Sequence, residues 1–244
     1  ENDWLVDDGA FVSGDFSRTY SKQLSMRATL RPIEGLRIQL TANKNQSQNV
    51  SKFFFFDDAD TVEAYNFDAP QIVSGSYSMS ILSIGTSFKP TDENDFSNST
   101  FSELQSVENR EIISRRLGNR NINSGDSTLG EGYGPTSQEV LLFSFLAAYT
   151  DKSPNDVFVG DFTKMIPLPN WDITYDGLSR LDFFKKYFRT VTIRHAYRST
   201  FAVGSYTRNQ RFGEENGAPS VKDPNGNFIT DKQLSTASIS EQFS

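Results

Sequence analysis

Residues 16–31, FSRTYSKQLSMRATLR, alternate between apolar and polar side chains. Tyr20, Leu24, Met26, Ala28 and Leu30 fall on one parity, broken only by Lys22; Thr19, Ser21, Gln23, Ser25, Arg27, Thr29 and Arg31 fall on the other. Successive side chains of an extended chain point to opposite faces, so the pattern predicts a strand with one oily and one wet face. Pro32–Gly35, PIEG, reads as a tight turn. The alternation then resumes, with Leu36, Ile38, Leu40 and Ala42 against Arg37, Gln39, Thr41 and Asn43, so the two runs form a hairpin. Sixteen residues at about 3.4 Å each extend over roughly 54 Å. Globular strands average about 5 or 6 residues, and a membrane-spanning strand needs about 9 to 11. Length is therefore the strongest constraint on what this chain can fold into.

The same period recurs twice. In residues 74–88, Tyr77, Met79 and Ile81 alternate with Ser76, Ser78 and Ser80; in VTIRHAYRSTFAVGSY, residues 191–206, Val191, Ile193, Tyr197, Phe201 and Val203 alternate with Thr192, Arg194, Arg198 and Thr200. A last strand is predicted from Thr230 onward, and residues 44–70, which carry FFFFDDAD, read as a long polar connection. Helix signals concentrate in the middle. Thr100–Glu103 fits a capping box, with Gly118 as the stop. Thr136–Glu139 fits a second, before VLLFSFLAAY, which is apolar nearly all round and so predicts a buried helix. Ser153–Asp156 places Pro154 at a first helical position, and Leu178, Leu181, Phe184 and Phe188 have helical spacing. The chain is thus read as mainly β: strands and loops over 1–88, an inserted region with short helices over 89–188, and strands again over 189–244.

Composition narrows the functional classes. The formal net charge of −7 argues against binding nucleic acid, whose phosphates need a basic surface. The absence of Cys excludes disulfides, thiol nucleophiles and thiolate metal sites. No run reaches the about 18 apolar residues of a membrane-spanning helix. The first residues, ENDWLVDDGA, are acidic and unlike a signal peptide. With no initiating Met, the chain reads as a mature product or a piece of something longer.

Few residues suggest chemistry. His195 is the one histidine; with Arg194 and Arg198 as neighbours and no carboxylate close in sequence, it reads as a strand side chain rather than a catalytic base or metal ligand. Asp57, Asp58 and Asp60, and the DPNGN run with Asp223, Asn225 and Asn227, could offer oxygens to a calcium ion. The second departs from an EF-hand loop, because Phe228 stands where Gly is required; both read as solvated turns. Gly130, Gly132 and Gly134 neither follow a predicted strand nor open a dinucleotide fingerprint. With 31 acidic residues, no carboxylate pair of the glycosidase kind stands out. No cofactor and no catalytic residue are expected. The Phe and Tyr on strand faces suit either the core of a soluble sandwich or contact with lipid; parity alone leaves both open, as it does a soluble all-β envelope module that binds carbohydrate and a glycosidase on a β scaffold.

Three segments, SQEVLLFSFLAAYTDKSPNDV, IPLPNWDITYDGLSRL and VTIRHAYRSTFAVGSY, resemble the late part of the SprA/Sov family. These are the giant outer-membrane translocons of the Bacteroidetes type 9 secretion system, linked to gliding motility. The resemblance is densest from about residue 71 to 207. It implies an arc of a very large transmembrane antiparallel β-barrel that conducts folded cargo proteins, located in the cell outer membrane, not an enzyme, with a PorV-like barrel, a plug protein and outer-membrane lipid as partners. Within that picture Tyr20, Leu24, Met26, Leu36, Ile38, Leu40, Ile193, Tyr197, Phe201 and Val203 are expected to face lipid. Arg27, Arg31, Arg37, Gln39, Arg194 and Arg198 are expected to face the aqueous lumen. Short turns mark the periplasmic side of such barrels, which places PIEG there and, by counting strands, residues 89–188 as well.

Overall fold

A computed structural model of the chain describes residues 14–57, 64–66, 70–95, 97–118 and 129–244. It is mainly β and antiparallel. Strand β1 spans Gly14–Leu30, β2 Leu36–Asp57, β3 Ala64–Asn66 and β4 Ile72–Ser80. Helices α1 (Ser99–Gln105), α2 (Val107–Gly118) and α3 (Gln138–Tyr149) follow. After them come β5 (Asn170–Tyr175), α4 (Asp182–Tyr187), β6 (Ile193–Arg208), the short pair β7 (Glu214–Glu215) and β8 (Ala218–Pro219), β9 (Lys232–Leu234) and β10 (Ala237–Phe243). The main sheet runs in the order β1-β2-β4-β6-β10, with β5 also joined to both β2 and β6.

The predicted hairpin is present and longer than its pattern. β1 pairs with β2 from Gly14↔Phe54 to Leu30↔Ile38. β2 continues through Asp57 where a polar connection is expected, because Asn45, Gln46, Gln48 and Asn49 put polar groups on both faces and erase the alternation while the ladder to β1 and β4 continues. Of the FFFFDDAD run, Asp58 and Asp60 lie outside the described residues.

β4 and β5 occupy one position in the sheet, end to end. Residues 44–51 of β2 pair with β4, and residues 36–41 pair with β5. β6 repeats the arrangement, pairing Ser80 with Thr200 and Trp171 with Tyr197. Continuing each register by one residue sets Ser80 against Asn43 and Asn170 against Arg198. The ladder position between them, flanked by Ala42 and Ser199, is a single residue wide, and the Ile81 N–H reaches it to donate to the Ser199 carbonyl at 3.2 Å. The chain therefore leaves the sheet after Ser80 and rejoins it at Asn170, so the sheet's interruption is 81–169 and β5 and α4 belong to the sheet side. The span 89–188 expected for the insertion misses this, because NWDITY is too short an alternation to separate from its neighbours.

Side chains close the ladder at the break. Asn43 donates its backbone N–H to Ser80 Oγ at 3.0 Å, which in turn donates to the Leu168 carbonyl at 2.7 Å. The Ser199 N–H donates to Asn170 Oδ1 at 2.9 Å. The two stumps also meet directly, Leu168 N–H donating to the Ser80 carbonyl at 2.9 Å. An inner strand cannot leave buried N–H groups unpaired without a cost of roughly 1–3 kcal/mol each.

The insertion folds back onto the sheet. Tyr77, Met79, Ile81, Phe201, Val203 and Tyr206 form the floor of a continuous core, roofed by Ile113 and Leu117 of α2, by Val140, Phe143 and Leu146 of α3, and by Val157, Val159 and Phe162. α3 is buried nearly all round, as its composition requires. Its N-cap is Ser137, and that of α1 is Asn98, whose side chain accepts from the Phe101 N–H; the first box is thus displaced from Thr100, and a break at Ser106 separates α1 from α2. Ser153–Asp156 forms a turn closed by the Asp156 N–H to the Ser153 carbonyl, and not a helix. Gly130, Gly132 and Gly134 serve close packing: a Cβ on Gly132, at φ +74°, would meet the Phe228 ring at 2.1 Å.

Because Ser80 and Asn170 are buried and each stands in for a missing backbone partner, Ser80→Ala and Asn170→Ala should each lower stability by about 1–3 kcal/mol, read by denaturant unfolding. A loss within about 0.5 kcal/mol, the usual size for a surface site, would show that the break does not depend on them.

Candidate functional site

The sheet registers settle which residues share a face. Met26 lies opposite Ala42, Leu40 opposite Trp171, Trp171 opposite Tyr197, Leu36 opposite Tyr175, Tyr175 opposite Ile193, and Met79 opposite both Lys44 and Phe201. Tyr20, Leu24, Met26, Leu36, Ile38, Leu40, Ile193, Tyr197, Phe201 and Val203 therefore all lie on one face, with His195. Arg27, Arg37, Gln39, Arg194 and Arg198 lie on the other; Arg31 sits one residue past the end of β1.

The apolar face is divided along the strands. Towards the Pro32–Gly35 turn it is oily: Leu24, Met26, Ala28 and Leu30 on β1, Leu36, Ile38, Leu40 and Ala42 on β2, Trp171, Ile173 and Tyr175 on β5, and Ile193 on β6. Leu24 and Met26 are 45% and 44% exposed. Farther along, Lys22, Lys44, Gln46 and Gln48 interrupt it. There the insertion covers β4 and β6, and the Lys44 Nζ donates to the Met165 carbonyl at 2.9 Å. Phe201 and Val203, expected on the lipid-facing stripe, have the right parity but are 0% and 1% exposed beneath the inserted helices. Tyr197, also fully buried, stacks against Trp171 at 4.5 Å and Phe243 at 5.2 Å between ring centres. Burial, of Phe201 and Val203 under the insertion and of Tyr197 against Trp171 and Phe243, removes these three from any surface that lipid could wet.

The opposite face is polar. Asp172 is held by Arg194 in a two-pronged contact, Nε to Oδ1 at 3.2 Å and Nη2 to Oδ2 at 2.6 Å. Arg37 and Arg198 add positive charge around it. A second polar cluster lies at the break: the Ser83 hydroxyl meets Tyr197 OH at 3.1 Å and Ser199 Oγ at 2.6 Å, and donates to Glu241, tying β10 to the root of the insertion. No sequence signal points to this group, since Ser83, Ser199 and Glu241 are distant in the chain and ordinary in context.

Away from the sheet, Lys89 bridges Glu103 at 3.4 Å and Asp151 at 3.3 Å. Desolvation lowers its pKa, but the hydrogen bonds and charges of the two carboxylates outweigh that and hold it above the usual lysine value. Asp223 accepts the N–H groups of Asn225 and Asn227, both at 2.9 Å, the geometry of a turn. His195 is exposed, its ring 6.4 Å from that of Trp171. Among the described residues, no group of three or more His, Asp or Glu could hold a metal ion. No helix there is long and apolar enough to cross a membrane, which leaves crossing by strands open. A cavity of about 370 Å³ lies between α3 and the 212–232 segment, with Tyr133, Phe162 and Phe228 among its walls and Glu139, Asp161, Glu214, Asp231 and Lys232 as its charged groups.

No protein-family model matches the chain, and none of the curated proteins matches it.

The division of the apolar face yields a direct test. Phe201→Ala should cost about 3–5 kcal/mol as a core truncation, whereas Leu24→Ala, on the same face but exposed, should stay within about 0.5 kcal/mol in aqueous unfolding. Equal losses would mean that the insertion does not cover the face selectively.

Proposed function

We propose that this chain is an arc of a very large outer-membrane β-barrel, a protein-conducting translocon of the SprA/Sov kind that exports folded cargo in type 9 secretion and gliding motility. On this reading it is a conduit and not a catalyst. Its partners are the cargo, a PorV-like barrel, a plug protein and outer-membrane lipid. The observation that carries the proposal is β1: a 17-residue edge strand, exposed along nearly its whole length, with no proline, and oily on one face only. Such an edge is a template for pairing, and closing a sheet into a barrel removes it. The oily zone along β2 from Leu36 to Ala42 extends over roughly 20 Å at about 3.4 Å per residue, close to the apolar band of about 25 Å on outer-membrane barrels.

The lipid-facing set in this proposal is Leu24, Met26, Leu36, Ile38, Leu40 and Ile193, with Tyr20 beyond the oily zone. The lumen set is Arg27, Arg37, Gln39, Arg194 and Arg198, with Arg31 at the rim. If the short Pro32–Gly35 turn is periplasmic, the insertion belongs to the opposite, outer side. It leaves the strand midway and covers the half of the face away from that turn, so strand counting does not locate it.

One observation favours a second reading, a soluble all-β envelope module: Tyr77, Met79, Phe201 and Val203 already pack against the chain's own helices. Solubility without detergent separates the two, because a soluble module needs none.

Arg at Ile38 would put a charge on the lipid face, at a cost of about 2–4 kcal/mol. Ile38→Arg should therefore block assembly into the outer membrane when the whole translocon is expressed and its membrane fraction assayed, while Gln39→Arg, on the lumen face, should assemble normally. Equal assembly of both variants would overturn the facing.

A further inference from the structure

The end of the sheet that carries the Pro32–Gly35 turn also carries the 176–192 loop. Asp176 donates its N–H to the Gly35 carbonyl at 3.0 Å, Arg180 pairs with Glu34, and Ser179 Oγ clamps Val191 through both its N–H and its carbonyl, at 2.7 and 3.0 Å. The two turns are thus one fixed rim. α4 presents its aromatic rings from this rim without burying one of them. Phe183 is 68% exposed and Tyr187 63%, and their ring centres lie 5.5 Å apart. Phe188 and Ile33 are more than half exposed as well. A water-facing loop gains nothing from such rings, so their exposure calls for a less polar surrounding.

The charges among them are mostly basic. Lys185 pairs with Asp182 at 3.6 Å and Arg180 with Glu34. Lys186 lies 5.6 Å from the Tyr187 ring centre, and among the described residues Arg31, Lys186 and Arg189 have no carboxylate at ion-pair distance. Aromatic rings with long basic side chains beside them match the boundary between hydrocarbon and headgroups, where rings sit at headgroup depth and cations meet anionic phosphate. The rim also continues the oily zone, whose last members, Leu30 and Ile193, are half exposed.

We propose that this rim is a membrane-interface anchor: Phe183, Tyr187 and Phe188 enter the headgroup layer of a leaflet, and Arg31, Lys186 and Arg189 engage the phosphates of anionic lipid. The proposal rests on the barrel reading only in taking that leaflet to be one the sheet crosses.

The chain has no cysteine, so a single one can carry an environment-sensitive fluorophore. Phe183→Cys, with Tyr187→Cys as a second site if the first does not fold, reports the rim; Leu24→Cys reports the strand face. Each labelled chain is mixed with vesicles of brominated phosphatidylcholine, with and without phosphatidylglycerol. The rim probe should be quenched most in the anionic vesicles, and replacing Arg31, Lys186 and Arg189 by Gln should weaken that partition about tenfold or more. A quenched strand probe with a silent rim probe would overturn the anchor and leave the barrel reading standing. A quenched rim probe with a silent strand probe would support the anchor and count against the strands crossing. A rim probe that becomes shielded with rising protein concentration, and is untouched by vesicles, would make the rim a protein-docking surface and overturn the anchor.

Discussion

An inner strand must satisfy its backbone on both sides, and the rest of this structure depends on how β2 and β6 do so across a gap. Between them lie two strand pieces far apart in sequence, β4 and β5, aligned so closely that one ladder position separates them. Ser80 and Asn170 supply the hydrogen-bonding atoms that a backbone would have supplied. Without that substitution, the departure of the chain at residue 81 would leave the N–H groups of Asn43 and of the buried Ser199 without partners, and the sheet would be split where its faces need to be continuous.

Continuity of the sheet gives the faces their meaning. Once the registers are fixed, every oily side chain of β1, β2, β5 and β6 named here falls on one side and the arginines on the other. What differs along the oily side is the cover. Over β4 and the distal part of β6 the chain lays down its own helices; near the Pro32–Gly35 turn none of the described residues does so.

Much of this was legible from the sequence, for physical reasons that also explain the rest. The β1–β2 hairpin could be read because its alternation is local and nearly unbroken, and α3 because a run apolar on all sides must be buried. Parity correctly grouped Phe201 with Leu24, since both obey the same two-residue repeat. It could not distinguish them, because covering one and not the other is a tertiary event. β2 beyond Asn43 was hidden by polar residues on both faces. β5 was hidden by its brevity, and Ser80 by lying on a parity of serines that reads as a wet face. The network of Ser83, Tyr197, Ser199 and Glu241 has no local pattern and exists only once three segments meet.

The narrowness of the break in the ladder bears on how such a chain could change length. The stumps at Ser80 and Leu168 touch, and the Ile81 N–H donates to the Ser199 carbonyl at 3.2 Å as the chain leaves, so the two registers meet across the break. The segment from 81 to 169 is therefore a cassette that leaves and rejoins the sheet at one place and packs its helices on β4 and β6. A version holding another segment in its place would keep the same strands in the same order.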